Sequence, residues 1–264
     1  MRRDVTARLS IDVTCPSELA MSFAVAARQG AVAETLEVRL DGAPLEATEI
    51  RDAHGTRLHA ISAEVGILTV EYTAIIEGRE PPVRSRERDR LRYLRPSRYC
   101  ESDELAATAH AEFGGLTGYS LLEGVSSWVG TRLDYVPGSS LPTDGAVRTL
   151  LARQGVCRDY AHLCVALLRA SGVPARLVSV YAPGLDPMDF HAVCEAYVDG
   201  RWCVVDATTL APRTSLVRIA TGRDAADTAF MTVVSGHAEL EDVMVSAVAD
   251  VLPHDDLTAA IHLG

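Results

Sequence analysis

Asp199-Gly200 joins two runs that alternate with a period of two, FHAVCEAYV before it and RWCVVDAT after it. A two-residue Asp-Gly loop supplies the positive φ of a tight hairpin turn and so fixes one register for the pair. Val198 then faces Arg201, Tyr197 faces Trp202, Glu195 faces Val204 and Val193 faces Asp206, with His191 opposite Thr208. In that register His191 and Asp206 share one sheet face as diagonal neighbours, their Cβ atoms about 7 to 8 Å apart or a little less. Cys194 and Cys203 fall on the other face, also diagonal, where a disulfide is strained. Both read as buried core thiols.

The segment before the hairpin, CRDYAHLCVALLRASGV, predicts a helix that opens on Cys157 and is closed by Gly172 and Pro174. A cysteine in the first turn meets unpaired backbone N–H groups and the positive end of the helix dipole, which favour a thiolate. Cys164, seven residues on, lies on the apolar face and reads as a core thiol. Further helices are expected over SDELAATAHAEF, capped by Ser102 or Asp103, and over YSLLEGVSSWVGTRLDY. Another runs from a Thr143 cap to about Gln154, with Gly155 as its stop. Strands follow over ARLVSVYAPG and the hairpin, with later candidates AFMTVVSG and EDVMVSAVA. Helices first and sheet after is the α+β order. Residues 1 to 78 hold five short alternating runs, TARLSIDVT, SELAMSFAV, ETLEVRLDG, TRLHAISAE and GILTVEYTAII, which predict a small antiparallel sandwich or barrel. The expected divisions are a β-rich N-terminal domain at 1–80, a connector at 81–99 and a catalytic domain at 100–264.

Composition narrows the chemistry. The chain has no lysine, so no side-chain amine is available as nucleophile or Schiff-base former. A net charge of −11 argues against a nucleic-acid partner. The stretch VRSRERDRLRYLRPSRY is a local exception, with seven arginines and two acids; an RNA-binding arm would read this way, and so would a basic connector docked against acidic domains, the reading the net charge favours. No run approaches the roughly 18 apolar residues of a membrane span, and the opening residues carry no h-region or cleavage site, so a cytoplasmic protein with reduced thiols is expected. With no CxxC and no HExxH, and with Cys194 and Cys203 facing away from His191, neither a metal nor another cofactor is expected.

Cysteine, histidine and aspartate in this arrangement suit nucleophilic acyl transfer: the carboxylate fixes the imidazole tautomer, and the free ring nitrogen faces the thiol. His191, flanked by Phe190 and Ala192, also fits a satisfied core histidine, and Asp206 a turn-holding acid. GVCRDYAHLCVALLRASGVPAR, DFHAVCEAYVDGRWCVVDAT and the upstream LDYVPGSS resemble the transglutaminase-like superfamily, in its bacterial branch with a β-rich N-terminal region. The resemblance implies a papain-like core, helices packed on an antiparallel sheet, with Cys157 as nucleophile, His191 as base and Asp206 as orienting acid. It implies a peptide or protein substrate. Hydrolysis, as in a peptidase or amidase, is the first expectation; transamidation of protein glutamine and a non-catalytic binding module are the alternatives. The calcium-loop pattern of the animal cross-linking enzymes is missing. An oxyanion needs two donors: the Cys157 N–H is one, and Gln154, Trp128 and Tyr135 are candidates for the other. Arg158 and Asp159 are expected to pair with each other or with the loop APGLDPMD, which would rim the cleft.

Overall fold

The computed structural model describes residues 1–27, 29–79 and 85–263, so the expected connector is seen from Ser85 onward and 81–84 lie outside the described residues. The strands and helices, in chain order, are β1 (Arg2–Met21), β2 (Ala31–Leu40), β3 (Ala43–Pro44), β4 (Thr48–Arg51), β5 (Arg57–Ala63), β6 (Gly66–Glu77), α1 (Glu87–Arg92), α2 (Ala106–Phe113), α3 (Gly118–Arg132), β7 (Asp134–Tyr135), α4 (Ala146–Ala152), β8 (Gln154–Gly155), α5 (Cys157–Ala170), β9 (Ala175–Tyr181), β10 (Phe190–Val198), β11 (Arg201–Val205), β12 (Val217–Gly222), α6 (Ala225–Thr228) and β13 (Met231–Ala249). The result is a β-rich N-terminal region followed by a helix-and-sheet core of papain-like architecture.

A seven-stranded antiparallel sheet is built on β1, which pairs with β6 and then β5 along one edge and with β13 along the other. Alternate β1 residues, Val5, Ala7, Leu9, Ile11 and Val13, are buried, as a half-buried strand requires. The two runs expected at its start form one strand of 20 residues. Pro16 has no N–H for the ladder, and register shifts on either side of Cys15 absorb it as a bulge. Gly236 on β13 makes room there, because a Cβ would strike Ser17 Oγ and the Pro16 carbonyl. AFMTVVSG and EDVMVSAVA likewise merge into β13. The segment expected at 100–264 therefore lends a strand to the sheet expected at 1–80.

The second sheet runs in the order β11-β10-β9-β12. Its strand β12, VRIATG, was not anticipated. Val217, Ile219 and Ala220 of β12, with Tyr181 of β9, pack into the core of the first sheet, so the two sheets share one apolar layer. The other face of the second sheet receives α5 through Cys194, Ala196, Cys203 and Val205, and α2, α3 and α4 pack around the helix. From Leu163 to Leu168 α5 is buried on every side. Fully burying each of its leucines is worth about 1.5–3 kcal/mol.

Of two expected caps, one is absent and the other is replaced by a distant residue. The helix expected from Ser102 begins at Ala106 without a side-chain cap, and Thr143 does not cap α4. Instead, Glu101 reaches across and accepts the Ala146 N–H at 2.8 Å. Gly155 is not the stop of α4; Arg153, at φ 57°, ends it. Gly155 stands in β8, where a Cβ would lie 2.6 Å from Asp159 Cβ. No helix among the described residues is long and apolar enough to cross a membrane.

Candidate active site

The observed hairpin register matches the Asp-Gly reading: Val198 pairs with Arg201, Tyr197 with Trp202 and Glu195 with Val204. Just past the end of β11, Asp206 turns back to His191, and His191 Nε2 lies 3.1 Å from Asp206 Oδ2 with both side chains almost wholly buried. The second carboxylate oxygen accepts the Thr208 N–H at 2.9 Å and its hydroxyl at 2.6 Å. Thr208 escaped the sequence reading, although D-x-T is the pattern of a side chain closing its own turn. Burial pushes the Asp206 carboxyl up, but the charge and bond of His191 and the two Thr208 bonds outweigh it and hold it below the usual range. Burial pulls His191 down, whereas Asp206 and then Cys157 raise it, and the ring is pushed up to about 10. Both shifts describe an imidazolium against a carboxylate. His191 Nδ1 is buried and makes no hydrogen bond of ordinary geometry among the described residues, with Cys157 close enough to raise the ring.

Cys157 opens α5 and is half-buried, whereas Cys164, Cys194 and Cys203 are buried core thiols. Its turn is fixed by Asp159, whose Oδ2 accepts the Val156 N–H at 2.8 Å, a carboxylate at the third helical position reaching back over the cap. The N–H groups of Asp159 and Tyr160 are taken by the Val156 carbonyl. Arg158 approaches Asp159 at 3.6 Å, as one expectation had it, and its Nη2 also donates to Ser140 Oγ and the Leu141 carbonyl. The partner loop is thus 140–141 and not APGLDPMD. That second loop ends at the site all the same. Asp189, close enough for His191 to act on its charge, has its carboxyl pushed up by desolvation.

Among the three donor candidates, the structure brings Tyr135 to Cys157. The short parallel pair β7 and β8 sets Tyr135 beside Gly155, two residues before the thiol. Desolvation and the neighbouring thiol push the Tyr135 hydroxyl up to about 12, with the Cys157 N–H acting against them. The phenol therefore keeps its proton at neutral pH. Trp128 is engaged elsewhere, donating to Glu112 at 2.7 Å and packing edge-on against Phe113. Gln154 is exposed. His162 is a core residue: it stacks on Tyr99, its Nε2 accepts the Ala225 N–H, and burial pulls it down to about 3.

A second buried cluster lies further along the His191 face of the sheet. Glu195 takes Arg176 at 2.6 Å and Arg218 at 2.7 Å, tying β9, β10 and β12 together. Burial pushes Glu195 up, but the two guanidinium groups win and hold it at about 2. Charge pairing of this kind between three strands leaves no local pattern.

Residues 106–207 match the family model of the transglutaminase-like superfamily. A candidate cysteine protease from Cytophaga hutchinsonii, known from its crystal structure, superposes with a TM-score of 0.89 at 33% identity, over 98% of this chain and 95% of its own. The chain belongs to the transglutaminase-like superfamily. Shorter similarities to this superfamily member occur in two uncharacterised mycobacterial proteins. One, from Mycobacterium leprae, is 31% identical over 39% of this chain and 39% of its own length. The other, from Mycobacterium tuberculosis, is 41% identical over 26% of this chain and 23% of its own. The chain therefore matches well under half of either curated relative. Family and fold together support a thiol-dependent catalytic chemistry in general.

Proposed function

We propose that the protein carries out thiol-dependent acyl transfer on peptide or protein amides, with water as the acceptor. The observation that carries this reading is the buried His191–Asp206 pair at 3.1 Å beside a thiol that opens a helix. Cys157 Sγ attacks the amide carbon, and the oxyanion accepts from the Cys157 N–H and the Tyr135 hydroxyl. The Nδ1–H of His191 passes its proton to the departing nitrogen as the C–N bond breaks, leaving a thioester. Water then adds to the thioester while neutral His191 takes its proton. The C–S bond breaks, and acid and thiol are released. Asp206 holds Nε2–H throughout, so that Nδ1 remains the working nitrogen. The Cytophaga relative, named as a candidate cysteine protease, favours hydrolysis over transamidation.

Two measurements test this. Alkylation by iodoacetamide is followed site by site by mass spectrometry, with the half-buried Cys15 as internal reference. At pH 6 Cys157 is expected to react at least about tenfold faster than Cys15 and to lose that advantage in His191→Ala. Equal rates in the wild type would remove the nucleophile from the proposal. A glutamine-containing peptide library, incubated with and without a labelled amine, then reads the reaction. Backbone cleavage or amide hydrolysis supports the proposal, label incorporation would replace it with transamidation, and no reaction with unperturbed Cys157 would point to a binding module.

A further inference from the structure

The acyl-transfer reading leaves the arginine-rich connector without a role. Its described part, residues 85–99, carries six arginines and two acids on a chain of net charge −11. Arg92, which ends α1, and Arg95, just beyond it, line a cavity of about 370 Å³ together with Tyr93, Asp52, Arg223 and Asp227. Of the cavity's two acids, Asp227 is paired with a guanidinium and Asp52 holds its own turn. Asp227 takes the Arg223 backbone N–H at 2.8 Å and its guanidinium at 2.9 and 3.0 Å. Asp52 Oδ1 takes the Ala53 N–H at 2.6 Å. Arg92 and Arg95 are exposed, and no hydrogen bond or close ion pair holds either guanidinium among the described residues, although Arg92 lies near enough to Asp227 to help hold its carboxyl down. Arg92 offsets the end of its short helix; Arg95 lies past that end and has no such use.

The walls are rigidly built. Arg169, buried near the end of α5, donates to the Arg95 carbonyl at 3.0 Å, Ser97 Oγ at 3.0 Å, the Ala175 carbonyl at 2.8 Å and the Arg223 carbonyl at 2.6 Å. One buried guanidinium thus fixes the backbone of two residues that line the cavity. It stands twelve helical steps from Cys157, about 18 Å along the axis, so this site is distinct from the candidate active site.

We propose that this cavity binds a small ligand through a phosphate or sulfate oxyanion. Guanidinium forks match the tetrahedral oxyanion better than any other side chain, and the volume suits a small molecule. A polyanionic strand would be repelled by the rest of this acidic surface. The cavity is bounded by the Asp52–Ala53 turn, the connector and the end of β12, so occupancy ties the N-terminal sheet to the helical core.

Calorimetric titration with pyrophosphate, glycerol 3-phosphate and sulfate at fixed ionic strength tests the site. The wild type is expected to bind at least one of them saturably at one site, and the relative affinities say whether an inorganic anion or a phosphomonoester is the better occupant. Arg92→Gln/Arg95→Gln is expected to weaken binding roughly tenfold or more. The charge-matched Arg88→Gln/Arg148→Gln, outside the cavity, is expected to stay within about twofold, because diffuse charge contributes little at that ionic strength. Should the first double variant not fold, Arg95→Gln alone is expected to weaken binding by about threefold or more. Cys157→Ala is expected to bind as the wild type does, so the test stands apart from the acyl-transfer reading. No saturable binding up to about 10 mM, or equal loss in the two double variants, would overturn the proposal.

Discussion

Asp206→Asn keeps the shape of the side chain and removes the charge that holds His191 protonated. With the ring at about 10, about 99% of molecules carry the imidazolium at pH 8. Burial drives the ring the other way and only the Cys157 thiol is left to raise it, so without the carboxylate the ring is expected to fall toward its ordinary value of 6.5. At that value only about 3% stays protonated at pH 8, a loss of about thirtyfold. The tautomer changes as well. Thr208 donates twice to Oδ1, so the asparagine oxygen must stay there and its NH₂ must face Nε2. Nε2 then becomes an acceptor, and Nδ1 carries the proton it should be free to take. The kcat/KM for amide hydrolysis at pH 8 is therefore expected to fall roughly thirtyfold, with His191 followed in parallel by NMR titration. A kcat/KM within about threefold of wild type, or a ring still titrating near 10, would refute the reasoning.

Three further outcomes follow from particular contacts. Tyr135→Phe is expected to lower kcat roughly a hundredfold with KM within about twofold, since one oxyanion donor is lost; unchanged kcat in steady-state assays assigns that donor elsewhere. Gly155→Ala sets a Cβ against Asp159 and is expected to cost about 1–3 kcal/mol, or about 2–12 °C in Tm by calorimetry; an unchanged Tm means the Asp159 turn yields freely. Glu195→Gln leaves Arg176 and Arg218 buried without their counter-charge, at about 3–5 kcal/mol in urea unfolding at pH 7. Glu195 is held at about 2 against an ordinary 4.5, so its contribution is full above 4.5 and lost as pH falls through 2. The gap between wild type and variant should shrink over that range, and a gap that stays constant to pH 2.5 would contradict the assignment.

The hairpin and the helix opening on Cys157 were legible because each is written locally: Asp199-Gly200 sets the register, and the apolar run after Cys157 has a helical period and a Gly–Pro stop. His191 and Asp206 followed from that register alone. Local rules failed where a distant group took over. Glu101 caps a helix 45 residues away, which freed Thr143 from a task its position suggested. Gly155 looked like a helix stop and instead yields space to Asp159. The Arg176–Glu195–Arg218 cluster joins three strands, and only the folded sheet brings it together. The union of β13 with β1 was hidden for the same reason, since pairing partners across more than two hundred residues carry no shared pattern.

That union has a bearing on how the molecule is made. One margin of β1 is filled by neighbours synthesised soon after it, while the other waits for β13, made more than two hundred residues later. Until then a 20-residue ladder of amide and carbonyl groups stands open to any stray extended segment, a hazard that slow, non-local topologies share. A fragment trimmed to 106–207 would fare worse: it would keep Cys157, His191 and Asp206 but discard β12, leaving β9 bare where Tyr181 now meets the first sheet.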